Sequence, residues 1–216
     1  MSEIVNTYLL DDPGTLIPMD RQEFYIEQIN EYKKTGKPTR AVDIIDIFIF
    51  NSHKELLLQK RSFNKAHNPG LLDKSIGGHV RYDDSADFTV MIETVQELQT
   101  PSIVLRNQAD FKKTTDLLSP YLDTIAIIKH TESKILILDK FIENEIIPIA
   151  NKVHVYFGLY DGRTRPVDRE AKGVLYYSLD ELKTEMEKLP TGFTQDLHVL
   201  LNEFEDEISA FLTSLS

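Results

Sequence analysis

The sequence contains no cysteine. That excludes disulfides, thiolate metal centres and a cysteine nucleophile, and it suits a reducing compartment, so a cytoplasmic location is expected. Positive charge is also short: 24 Lys and Arg stand against 35 Asp and Glu, a formal net charge of −11. A nucleic-acid backbone requires clustered cations, so no nucleic-acid polymer is expected as a partner. Any anionic small molecule must then be met by locally placed Lys or Arg. There is no run of about 18 apolar residues and no basic-then-apolar leader, so a soluble, untargeted chain with no membrane partner is expected. The 216 residues, 41% of them hydrophobic, suffice for one large core or a core with a small appendage.

The most informative stretch is 69–101, PGLLDKSIGGHVRYDDSADFTVMIETVQELQTP. It reads as a strand, a glycine turn and an amphipathic helix. Each helical residue advances about 100°, so Glu93 and Glu97 lie roughly 40° apart on one face, continued by Ala86 and Val90. Phe88, Met91, Ile92, Val95 and Leu98 form an apolar arc that is expected to pack on the core. Two acids four apart repel slightly in an isolated helix, and a divalent cation between them would reverse that sign. The alternative is a wet face that happens to hold two Glu. Gly77 and Gly78 just before the helix allow close backbone approach and leave carbonyls free to coordinate. Asp83, Asp84 and Ser85 supply N-cap candidates.

In chain order, 4–10 reads as an edge strand closed by a turn at 11–14, and 21–34 as a helix stopped by Gly36 and Pro38. AVDIIDIFIF (41–50) reads as a buried central strand, with Asp43 and Asp46 as strand-end or edge residues. Residues 55–60 return as a strand. Pro101 ends the amphipathic helix, and 107–118 reads as a further helix. Strands at 124–129 and 134–138 are expected to form a hairpin around His130, Thr131, Glu132 and Ser133. Strands follow at 152–161 and 174–177, then a capping box of Ser178 and Glu181. A single helix over 194–215 closes the chain. Strands interleaved with helices, without a strict βαβ rhythm, predict an α/β (α+β) fold with a mixed sheet between helices.

The stretch from Gly78 onward resembles the Nudix signature G-x5-E-x7-R-E-U-x-E-E-x-G-U, where U is aliphatic. The spacing is kept without a gap. Gly78, Glu93 and Glu97 match and Asp84 is conservative, while Ile92, Gln96, Gln99 and Thr100 depart. The flanks LLLQKRS (56–62), PGLLD (69–73), GGHV (77–80), REAKGVLYYSLDEL (169–182) and GFTQDL (192–197) are similar to the isopentenyl-diphosphate-isomerase-like branch of that superfamily. The resemblance implies a Nudix-type α/β/α sandwich spanning 40–216, with 1–39 as a strand and helix extension packed on it. It also implies hydrolysis of a small-molecule diphosphate with Mg²⁺ or Mn²⁺, and it makes a homodimer an expectation.

By the same resemblance Glu93 and Glu97 are metal ligands, or one ligand and a catalytic base, with Gly78 adding a backbone oxygen. Gln96 stands at the second acid of the family's pair, where it can coordinate through its carbonyl but adds no charge. Ile92 removes an arginine that orients the neighbouring Glu. The departures imply as an alternative a Nudix-fold binding or regulatory protein with impaired turnover. A late ligand falls at Glu170 or at Glu145, and His79 falls at a metal-binding His of the isomerase. Gly77 and Arg40, however, stand where that isomerase has its catalytic Cys and another metal His, which disfavours isomerase activity. Lys60 and Arg61 fall where basic residues meet substrate phosphates.

Overall fold

The computed structural model describes residues 3–64, 68–142, 145–164 and 171–215. Its centre is β3 (Arg40–Phe50), buried along nearly its whole length. The reason is that β3 is covered on both faces: Val42, Phe48 and Phe50 enter one apolar cluster, and Ile45, Ile47 and Ile49 enter the other. A strand with two buried faces loses the alternation of a half-exposed one, hence the unbroken apolar run.

Before β3 come β1 (Ile4–Leu9), β2 (Asp12–Asp20) and α1 (Arg21–Thr35). Asp20 caps α1 by accepting from the amides of Gln22 and Glu23, and Gly36 ends it in the left-handed region at φ 73°. After β3 follow β4 (Leu56–Arg61), β5 (Leu72–Asp73), β6 (Ile76–His79), α2 (Ala86–Leu98), β7 (Ser102–Leu105), α3 (Gln108–Leu118), β8 (Ala126–Ile142) and β9 (Glu145–Leu159). The chain closes with β10 (Ala171–Tyr177), α4 (Leu179–Lys188), α5 (Gln195–Glu203) and α6 (Glu205–Ser214). Among the described residues the ten strands share one mixed sheet, ordered β10-β4-β3-β9-β8-β7, with β1 and β6 also on β3 and β5 on β4. β3 runs parallel to β9 over ten residue pairs, and β7 runs parallel to β8. α1, α3, α4, α5 and α6 pack on one side through residues such as Phe24, Phe111, Leu182, Leu197 and Phe211. α2 packs on the other through Val90 and Leu98. This is the expected α/β/α sandwich. Among the described residues no helix is long and apolar enough to cross a membrane.

Five expectations are corrected. β1 is not an edge strand, because it lies between β2 and β3, and Pro13 and Gly14 sit inside β2 rather than in a closing turn. Asp43 and Asp46 are buried in mid-strand, each with a partner described below. No hairpin turn occurs at 130–133: β8 runs through it to Ile142, kept in register with β9 by a bulge between His130 and Glu132. The closing helix is two helices, interrupted at Phe204, whose φ of −115° and ψ of 25° are not helical. Phe204 is fully buried, so packing fixes the break although the apolar stripe continues across it. Finally, α2 is rotated from its expected setting. Thr89, Val90, Thr94 and Leu98 form its buried face, while Phe88, Met91 and Val95 are 46%, 44% and 52% exposed. Both threonines hide their hydroxyls on the helix itself, Thr94 donating to the Val90 carbonyl and Thr89 to the Ser85 carbonyl. Their methyl groups are left for the core.

Candidate active-site cleft

A cleft of about 960 Å³ opens beside β6, between α2, the start of α1 and the first turn of α5. Its size is that of a small-molecule site. Glu93, Gln96 and Glu97 line it from α2, and Gly78, His79 and Arg61 line it from the strands. Six of the expected site residues are thus brought together. Lys60 is not: strand alternation turns it to the exposed face opposite Gln59 and Arg61. Glu145 stands exposed at the start of β9, ion-paired with Lys33 at 3.4 Å, and does not line the cleft. Glu170 lies outside the described residues, as do Glu143 and Asn144. Arg40, in the isomerase's second metal-histidine position, instead donates to Glu27 and Thr7, tying α1 and β1 to β3.

The glycine turn and the carboxylate helix fit each other closely. A Cβ built on Gly78 would fall 2.6 Å from Glu93 Oε1, so the Glu93 carboxylate occupies the space a side chain would take. Glu97 Oε2 accepts a 2.6 Å hydrogen bond from Gln59 Nε2, which also donates to the Ser75 carbonyl. Gln59 therefore fixes the direction of Glu97. Replacing Gly78 by Ala is expected to displace the flexible end of Glu93, not the backbone. Folding stability should stay within about 1 kcal/mol of the parent, yet turnover should fall by roughly 10²-fold, as a small misplacement of a reacting group can produce. Thermal melting with steady-state kinetics checks this, and unchanged kinetics would disconnect Gly78 from the chemistry.

The floor carries a buried ion cluster. Lys74 Nζ lies 2.8 Å from Asp46 Oδ1, 4.0 Å from Asp73 Oδ1 and 3.9 Å from Asp196 Oδ2. Arg61 pairs with Asp73 at 2.9 Å and Lys140 with Asp196 at 3.4 Å. Burial works against the Lys74 charge, but Asp46, Asp73 and Asp196 together outweigh it and hold its pKa above the usual lysine range. Burial is the largest influence on Asp46 and raises its pKa to about 6, although Lys74 pulls the other way. His79 is kept neutral, its pKa pushed well below the usual range by burial first and then by the charges of Arg21, Lys140 and Lys74. Tyr25 Oη lies 3.0 Å from His79 Nε2.

The residues present fit a hard divalent cation in the position that the resemblance implies, because the Glu93 and Glu97 carboxylates line one wall of the cleft with Gly78. Among the described residues no three His, Asp or Glu side chains are grouped to hold a metal alone. Gln59, Lys74, Asp46, Asp196, Lys140 and Tyr25 were not expected in the site. The two aspartates in an apolar strand and the lone Lys inside PGLLDKSIGG were the available signals.

A family model described as NUDIX domain matches residues 40–197. The isopentenyl-diphosphate Delta-isomerase of Serratia proteamaculans is 28% identical over 148 residues, 68% of this chain and 68% of that protein. DR0079 from Deinococcus radiodurans has a similar structure, with a TM-score of 0.61 at 15% identity, covering 93% of this chain and 98% of that one. A bifunctional NMN adenylyltransferase/ADP ribose pyrophosphatase from Francisella tularensis, crystallised with AMP and a Mn ion, gives 0.50 at 13% identity. It is covered over 47% of its length, against 87% of this chain. Both structural likenesses are likenesses of fold.

Proposed function

Because the chain belongs to the NUDIX domain family, we propose that it is a metal-dependent hydrolase of a diphosphate linked to another moiety. The observation that carries the reading is the placement of Glu93 and Glu97 on one wall of the cleft, with the Glu93 carboxylate seated against Gly78. Glu93, Glu97 and the Gly78 carbonyl would hold Mg²⁺ or Mn²⁺, with Gln96 able to add its amide oxygen. When bound, such an ion offsets the diphosphate charge and lowers the pKa of water at the site. The chain's own part is positioning. Gln59 orients Glu97, and a Glu97 carboxylate so held can accept a proton from the attacking water. Lys74 and Lys140 set cations in the floor, each paired with an aspartate, so they would meet the substrate's phosphates as oriented donors rather than as net positive charge.

A second reading, a binding protein with little turnover, is favoured by Gln96 on the cleft wall and by Ile92 in place of the orienting arginine. The isomerase activity named for the Serratia relative is disfavoured by geometry. A Cβ at Gly77 would lie 2.6 Å from Lys74 Cε and 3.2 Å from Asp46 Oδ1, so Lys74 fills the space a catalytic thiol would need. The three readings separate in one assay series with nucleoside and sugar diphosphates and isopentenyl diphosphate. Hydrolysis of at least one substrate that stops on adding a chelator is expected. Tight binding of a diphosphate without turnover would establish the second reading, and an allylic product the third.

A further inference from the structure

On the side of the cleft away from Glu93, two arginines stand together. Gly78 faces α2 through Glu93, so alternation along the extended chain turns His79 and Arg81 to the other side, where α1 lies. Tyr25 of α1 reaches His79 Nε2 at 3.0 Å, and Arg21 precedes Tyr25 by one turn on the same helix face. Both arginines line the cleft. They share one carboxylate: Arg21 Nη1 lies 2.8 Å from Glu3 Oε2, and Arg81 Nε lies 3.4 Å from Glu3 Oε1. Their side chains are 47% and 60% exposed, whereas Lys74 and Lys140 are each held in the floor by an aspartate. Neighbouring Asp20 is committed to the amides of Gln22 and Glu23 at the start of α1. A guanidinium carries five N–H donors in a planar fork. Glu3 engages one nitrogen of each fork, and among the described residues no other carboxylate pairs with either.

We propose that Arg21 and Arg81 form a subsite for a phosphate monoester carried by the moiety to which the substrate's diphosphate is linked. Under the hydrolase reading, on which this rests, the diphosphate lies at the wall of Glu93 and Glu97. From Gly78 to Arg81 the extended chain advances about 10 Å. A diphosphate held at Gly78 does not span that distance, and one linked to a phosphorylated sugar does. Each planar fork can give a phosphate two parallel N–H bonds, and two forks reach it from different elements. A phosphate monoester carries a charge of about −1.5 to −2 near pH 7, more than the single charge of Glu3, so it competes for both guanidiniums. An uncharged sugar or base offers only neutral acceptors in exchange. Glu3 and Arg21 both belong to the segment before β3, which thereby takes part in selecting the substrate. The same contacts would also describe a clip that fastens the start of β1 to the core. The two differ in what Glu3 does, since the clip requires Glu3 and the subsite requires the arginines.

The test compares matched pairs that differ by one phosphate, NADPH with NADH and coenzyme A with dephospho-coenzyme A, on the full chain with Mg²⁺. In at least one pair the phosphorylated member should have the higher kcat/KM by about 10- to 100-fold, the range that charge-assisted hydrogen bonds provide. Arg21→Gln and Arg81→Gln should each bring that ratio toward 1, and Glu3→Gln should keep or widen it. Circular dichroism establishes that the three variants fold. Calorimetry of the same pairs with Ca²⁺ in place of Mg²⁺ reads the subsite without turnover. Tighter binding of the phosphorylated member without hydrolysis of any compound would sustain the subsite and remove the hydrolase reading alone. Equal kinetics and equal binding within both pairs would overturn the proposal, as would a preference that Glu3→Gln abolishes as fully as the arginine variants do.

Discussion

Replacing Glu97 by Gln is expected to lower kcat by about 10²- to 10⁴-fold, the range associated with loss of a positioned general base. The fold should survive. Glu97 is half-buried at the cleft wall, and Gln59 Nε2 can donate to an amide oxygen as well as to a carboxylate. The substitution therefore removes charge and basicity while keeping shape. Glu93→Gln should fall in the same range, since its carboxylate shares the wall with Gly78. Kinetics with Mn²⁺ in excess separate the roles of the two: a defect that excess metal repairs belongs to a ligand, and one that it leaves belongs to the base. Parent-like turnover in both variants would remove the chemistry from this helix.

Replacing Lys74 by Met should have the largest effect on folding, roughly 3–5 kcal/mol, the cost of leaving buried charges without their partner. For a chain of this length that is on the order of 10 °C in Tm. The pH dependence follows from the sign of each shift. The Lys74 pKa is raised on folding, so its contribution is complete below the unfolded value of about 10.5 and is lost as pH rises beyond it. The parent should lose stability in that alkaline range, and Lys74→Met should lack this loss. The Asp46 pKa is raised to about 6, so ionising it in the folded state is unfavourable and stability falls as pH rises through that value. Without Lys74 the effect should grow. The variant should be closest to the parent at pH 5 and furthest from it at pH 8, as chemical denaturation at the two pH values would show. An equal deficit at both would mean that Lys74 acts through packing rather than charge.

The carboxylate helix and the glycine turn were legible because they are local: spacing along one segment puts Glu93, Glu97 and Gly78 within reach of one another. The floor of the cleft was not, because Asp46, Lys74, Lys140 and Asp196 come from β3, the turn after β5, β8 and α5. No periodicity links those segments. The central strand is recognisable from its composition, but its two aspartates read as strand-end residues because their partners, Lys74 and His154, lie far along the chain. The polar run at 130–133 resembles a turn in sequence, and only pairing with β9 makes it a bulge inside a long strand. The setting of α2 differs from the one its apolar arc predicts because two threonines that satisfy their own hydroxyls displace the more apolar Phe88, Met91 and Val95 from the core. Phe204 breaks the closing helix without breaking its apolar stripe, so periodicity carried no sign of it.

The wall formed by Glu93, Glu97 and Gly78 is proposed to hold a hard divalent cation. Electron paramagnetic resonance of Mn²⁺ titrated into the parent and into a Glu93→Gln, Glu97→Gln double variant tests it without reference to any substrate. The free-ion signal should be quenched by the parent and, at the same concentrations, persist with the folded double variant. Equal quenching by both proteins would contradict the claim.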